Sequence, residues 1–293
     1  MFAHQVIEFL KNDVWFRDDE AMREGLIKSI KNSQQFHMGS SSNLLSFQEH
    51  IKEEGAFIGE YAVDIRLPYK LTWFDWILDS NNEFSISESI LSENFYSSRI
   101  SKIGALTWEY NKNEIGVIMF SYIDIYKKWL MPEIAYKITF DPKRELSGNI
   151  EPLMFNKYSD EEFKKIFPKI QNSGGELAFM LNASLLLLSC KNISIKRCDP
   201  SYKLNKHRIK KGRQPLFSYY TLIIKPMTLK EKSIPQNLWE NRIHLCRGHF
   251  KTYTEEHPLF GRLTGRYWWQ AQARGNKKLG IVVKDYEIIT KEE

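Results

Sequence analysis

The run Leu177 to Cys190, LAFMLNASLLLLSC, constrains the fold more than any other stretch. It is apolar on nearly every side. It is also shorter than the roughly 18–20 residues a membrane span needs. A helix of that kind must be buried. The spacing predicts a helix over Glu176–Ser189, opened by Ser173-Gly-Gly175. Such a helix needs a sheet to pack on, and the preceding chain supplies the strands. Phe57–Ile65 and Leu71–Leu78 are rich in β-branched and aromatic residues, with Pro68 between them. Ile103–Tyr110 and Ile115–Tyr122 read as a hairpin turning at Asn111–Asn113, and Ile134–Phe140 as a further strand. The expected class is α+β: a mostly antiparallel sheet packed on a buried helix, with a basic C-terminal β unit.

Two amphipathic helices are expected within Met1–Lys31, broken near Asn12-Asp13. Phe2, Val6, Phe9 and Leu10 stripe the first; Met22, Leu26, Ile27 and Ile30 stripe the second. Acidic residues at 18–20 suit the start of the second. Gln34–Asn43 is polar and contains Gly-Ser-Ser-Ser, so it reads as a loop. His37 and His50 then read as surface residues. Trp73, Phe74 and Trp76 crowd one segment, and Asp75 among them must be paired or exposed. Asp160–Ile170 has the pattern of a short amphipathic helix. Asn192–Lys196 and Phe217–Lys225 read as strands, followed by Ile243–Phe250, Arg266–Gln270 and Leu279–Ile289. The short linkers suggest a compact β unit, such as a small barrel. Residues 1–195 and 196–293 are thus expected as two parts sharing one core.

Charge separates the same two parts. Lys196–Lys284 holds 20 Lys and Arg against 5 Asp and Glu, a net of +15. The chain's totals of 42 and 36 leave 22 basic and 31 acidic residues elsewhere, a net of −9. A basic third on an acidic remainder is the footprint of a polyanion-binding surface. Lys203–Arg213 is its densest run, with Lys203, Lys206, Arg208, Lys210, Lys211, Arg213 and His207 in eleven residues. Phosphate contact is its natural use. Arg262, Arg266 and Arg274 extend the set. Trp268, with Trp269, Tyr219 and Tyr220 nearby in sequence, offers rings for base stacking. Nucleic acid of either type is the expected partner. An acidic host protein is the alternative.

A second cluster is His244, Arg247, His249, Lys251 and Tyr253. Alternation along a strand puts the last four on one face and His244 on the other, unless Gly248 marks a bulge. These residue types suit a metal-independent ribonuclease. That chemistry needs a base for the 2′-hydroxyl, an acid for the leaving oxygen and cations for the developing charge. His249 is the best acid or base there, with His244 or His257 as its partner.

No cofactor is expected. Gly-x-Gly-x-x-Gly, P-loop, His-Glu-x-x-His and Gly-x-Ser-x-Gly patterns are all missing. Cys190, Cys198 and Cys246 lack a Cys-x-x-Cys knuckle, which disfavours zinc, and their odd number fits a reducing compartment. Neither a leader nor a membrane-length apolar run is apparent, so a cytoplasmic location is expected.

Leu204-Asn-Lys-His-Arg208, Gly212-Arg-Gln-Pro-Leu216, His244-Leu-Cys-Arg-Gly-His249-Phe, Trp268-Trp269 and Arg274-Gly275 together resemble a family of bacteriophage and prophage proteins. In that family a basic Asn-Lys-x-Arg segment precedes Arg-Gly-His-[Phe/Trp] and a terminal Arg-Gly. Leu67-Pro-Tyr69 with Trp73 is similar too. The resemblance implies a bacterial host cell and a phage context. It carries no activity, and so assigns no catalytic residue.

Overall fold

The computed structural model describes residues 1–12, 20–40, 66–78, 100–111, 114–124, 127–130, 134–139, 150–154, 180–225, 242–246, 248–269, 272–274 and 276–281. The architecture is α+β. Two helices open it, α1 (Ala3–Asn12) and α2 (Glu20–Asn32). Next come β1 (Gln34–Ser40), β2 (Leu71–Ile77), β3 (Ile100–Asn111), β4 (Glu114–Ile123), β5 (Lys128–Leu130), β6 (Ile134–Thr139) and β7 (Ile150–Met154). A third helix, α3, occupies residues 180–188. It is followed by β8 (Ile193–Cys198), α4 (Tyr202–Lys210), β9 (Tyr219–Ile224), β10 (Arg242–Cys246), β11 (His249–Tyr253), β12 (Gly265–Trp269), β13 (Gln272–Arg274) and β14 (Asn276–Ile281). The strands expected at Phe57–Ile65 and the helix expected at Asp160–Ile170 lie outside the described residues, as do residues 176–179 of the central helix and the end of the strand expected at Leu279–Ile289.

The main sheet runs β7-β6-β4-β3-β2-β1-β9-β8, with β5 paired to β4. β1 is parallel to both neighbours and every other pairing is antiparallel. Helices cover both faces. Phe2, with Val6, Ile7 and Leu10 of α1 and Leu26 and Ile30 of α2, packs on Trp73, Leu106, Ile118 and Phe120. On the other face α3 packs on Phe36, Phe74, Trp76, Ile103, Val117 and Met119. A strand buried on both faces loses the in–out alternation and becomes a continuous apolar run. β2 is such a strand, and the crowding of Trp73, Phe74 and Trp76 has that cause. Trp73 looks toward α1, while Phe74 and Trp76 look toward α3. The Trp76 indole donates to Ser184 Oγ at 3.0 Å, and Ser184 donates to Met180 O at 2.8 Å, which ties the sheet to α3.

Gln34–Ser40 is an interior strand of the sheet, not a loop. β1 pairs with β2 through Gln34↔Thr72 to His37↔Asp75, and with β9 through Phe36↔Tyr220 and His37↔Thr221. Its polar residues have local partners. Gln35 Nε2 donates to Ile30 O at 2.9 Å and to Ser33 Oγ at 2.9 Å, closing the end of α2. Phe36 supplies the apolar anchor on the α3 side. Gly39 then turns with φ +77°, a conformation that favours glycine.

The C-terminal residues are shared out among sheets. β8 and β9 belong to the main sheet. β10, β13 and β14 form a three-stranded sheet, and β11 and β12 a two-stranded one. The strand expected over Ile243–Phe250 is therefore two strands, β10 and β11, in different sheets. Phe250 and Trp268 join the same core as α3.

Candidate nucleic-acid interface

α4 is built from the basic run and has no buried residue. Residues three and four apart share a helical face. Asn205 and Arg208 form the inner stripe. Asn205 exchanges hydrogen bonds with Leu216, through Nδ2 to Leu216 O at 2.9 Å and Oδ1 from Leu216 N at 2.8 Å. Arg208 donates to Gln214 O at 2.8 Å and to Glu8 Oε1 at 2.9 Å. Glu8 Oε1 also accepts from Gln214 N at 2.9 Å. Arg208 thus holds α4 on α1 rather than facing solvent. The outer stripe is Lys203, Lys206 and Lys210, all exposed, flanked by Tyr202 at 78 % exposure and by Ile209. Lys211 and Arg213 are exposed at the turn around Gly212, whose φ is +67°.

Cations of the acidic part meet this surface. Lys11 Nζ donates to Gln214 Oε1 at 3.3 Å, next to Arg213. Lys11, Arg23, Lys28 and Lys31, with Glu24, line an open cleft of about 690 Å³ between α1 and α2. Sequence reading passed over these cations because the surrounding segment is acidic on balance.

The β11–β12 hairpin carries the rest. His249, Lys251 and Tyr253 share one face of β11, as alternation requires, opposite Trp269, Tyr267 and Gly265. Lys251 Nζ lies 5.1 Å from the centre of the Tyr253 ring. Phe250 and Trp268 occupy the inner face, with ring centres 4.7 Å apart. Trp268 is buried and has no ring face free for a base. Arg262 and His257 are exposed on the connecting loop, and Arg266 donates to Ser189 Oγ at 3.2 Å. No protein-family model, curated protein or solved structure matches this chain. The candidate interface is therefore described from geometry alone.

Asn192 fixes the hairpin. Its Nδ2 donates to Trp268 O at 2.7 Å and its Oδ1 accepts from Trp268 N at 2.9 Å, so one side chain acts as a short neighbouring strand. Asn192→Ala leaves both buried backbone groups unmade. The expected cost is about 2 kcal/mol, with faster amide exchange at Trp268 and Phe250. Unchanged exchange at both would refute the staple.

The two sequence-derived clusters are not assembled alike. Arg247 lies outside the described residues. His244 is on β10, in register with Arg274 of β13. Among the described residues no group of three His, Cys, Asp or Glu is placed to hold a metal ion. Cys190 donates to Leu186 O at 3.3 Å, and burial pushes its thiol up to about 12. Among the described residues no helix is long and apolar enough to cross a membrane.

A buried dyad that the sequence did not announce lies where β1 and β2 pair, beside the start of α1. Asp75 is 0 % exposed and accepts from His37 Nδ1 through Oδ1. Its Oδ2 accepts from Phe2 N at 2.9 Å and from Trp73 Nε1 at 3.2 Å. His37 keeps 22 % of its side chain in solvent, so it is not the surface loop histidine expected. Beside it, His4 is pushed down to about 4, first by burial and then by Arg208, and stays neutral near pH 7.

Proposed function

We propose that this chain binds nucleic acid through α4 and the cations around it, in a bacteriophage-related process inside a bacterial cell. The observation that carries this reading is the outward stripe Lys203, Lys206 and Lys210 beside an exposed Tyr202, on a helix locked by its inner polar face. The helix holds the row's spacing, so only the lysine side chains lose freedom when it meets a row of phosphates. Lys211, Arg213 and the Lys11–Lys31 cleft extend the same positive surface. Lys251 and Arg262 add a second cationic region on the hairpin.

Binding through phosphates releases counterions, so affinity must fall with salt. Replacing Lys206 and Lys210 together by alanine is expected to weaken binding of fluorescein-labelled RNA and DNA alike. The slope of log K against log salt should flatten by about 0.9 per lysine on a duplex and about 0.7 on a single strand. Binding that ignores salt, or a slope unchanged by the double substitution, would overturn the reading. Salt-sensitive capture of an acidic host protein, with no affinity for either nucleic acid, would assign the same face to a protein partner instead.

A further inference from the structure

We infer that His37 and Asp75 form a catalytic dyad that cleaves RNA held by α4. The inference rests on the nucleic-acid reading above and adds a reaction to it. Three observations carry it. First, the Asp75 carboxylate is fully buried and accepts four-way support from His37, Phe2 N, Trp73 Nε1 and the nearby Met1 amino group. A carboxylate accepts only, so His37 Nδ1 donates to it and Nε2 is the ring nitrogen left to exchange a proton. Second, the imidazole is pinned edge-on by two rings, Phe2 at 6.1 Å and 88° and Tyr219 at 6.1 Å and 90°. It still reaches solvent. Third, the strands beside the dyad lead straight into the basic helix. Tyr219 opposes Cys198 at the end of β8, and α4 begins four residues later at Tyr202.

An oriented imidazole that keeps part of its side chain in solvent suits a substrate that carries its own nucleophile. RNA does, and DNA does not. The 2′-hydroxyl proton passes to His37 Nε2 as the 2′-oxygen bonds the adjacent phosphorus. The bond from phosphorus to the 5′-oxygen breaks, and the imidazolium returns the proton to that oxygen. The products are a 2′,3′-cyclic phosphate and a 5′-hydroxyl end, and His37 finishes neutral. Asp75 acts as a positioning residue, holding the tautomer.

The test uses the full chain in EDTA with a fluorescein-labelled single-stranded RNA and its DNA counterpart. Wild-type protein should cut the RNA to fragments ending in cyclic phosphate and leave the DNA whole. His37→Gln, which still reaches Asp75 but cannot take a proton, should lower kcat about 10²–10⁴-fold with RNA affinity unchanged. His37→Gly should regain activity on addition of imidazole. Asp75→Asn should lower kcat at constant KM. RNA bound but uncut by wild type overturns the dyad and spares the binding reading. Equal cleavage by wild type and His37→Gln also overturns it. Protein that neither binds nor cuts RNA overturns both.

Discussion

Gly104→Ala is expected to destabilise the protein by about 3 kcal/mol, at the upper end of what overpacking a core costs. A Cβ at 104 would lie 2.3 Å from Trp73 Cζ2 and 2.7 Å from Cη2. Trp73 has nowhere to go. It is fully buried, its ring packs 5.6 Å from Phe120, and its Nε1 donates to Asp75. Moving the ring would break that bond and strip one partner from a buried carboxylate. Gly116 offers an internal comparison, since a Cβ there would meet Trp108 at 2.1 Å. Trp108 is only half-buried at the rim of the same core and can swing outward. Gly116→Ala should therefore cost less than Gly104→Ala. Urea unfolding of both variants checks the order. Equal midpoints would mean that the Trp73 site has slack.

The same region explains what the sequence could and could not disclose. The hairpin β3–β4 was legible because its partners are adjacent and its turn residues stand between them. α3 was legible because fourteen residues of apolar chain have few alternatives. β1 was not. It has one fully buried apolar side chain, Phe36, and its strand character comes from β2 and β9, whose paired residues lie 38 and 184 positions away. Local polarity read as a loop because the partners that satisfy Gln35 and His37 are supplied by the fold. The demand that Asp75 be paired was readable, but not that His37 answers it. In the basic third, composition marked Lys203–Arg213 as the densest basic run, but not that it folds as the helix α4. It had no means of telling Arg208, which faces Glu8, from Lys206, which faces solvent. Nor did it separate Trp268 from an exposed ring, because a strand's phase relative to the core is set by tertiary contacts such as the Asn192 staple.

Trp76→Ala is expected to have the largest effect, about 3–5 kcal/mol. That is a sizeable share of the roughly 5–15 kcal/mol by which domains are stable. The indole is fully exposed to the core and not to water. It stacks 5.9 Å from Phe74 at 20° and reaches across to α3. Truncation opens a cavity between the sheet and the helix, and the layers cannot close it because Phe74 and Met180 are themselves fully buried there. Part of the loss belongs to the hydrogen bond with Ser184. Trp76→Phe keeps most of the ring and removes that bond, and Ser184→Ala removes it from the other side while also releasing Met180 O. The two single changes should each cost about 1 kcal/mol beyond packing, and the double variant less than their sum, because they break one shared bond. Strict additivity in a double-mutant cycle would mean that Trp76 holds α3 by packing alone, and a loss below 1 kcal/mol for Trp76→Ala would mean that it does not hold α3 at all.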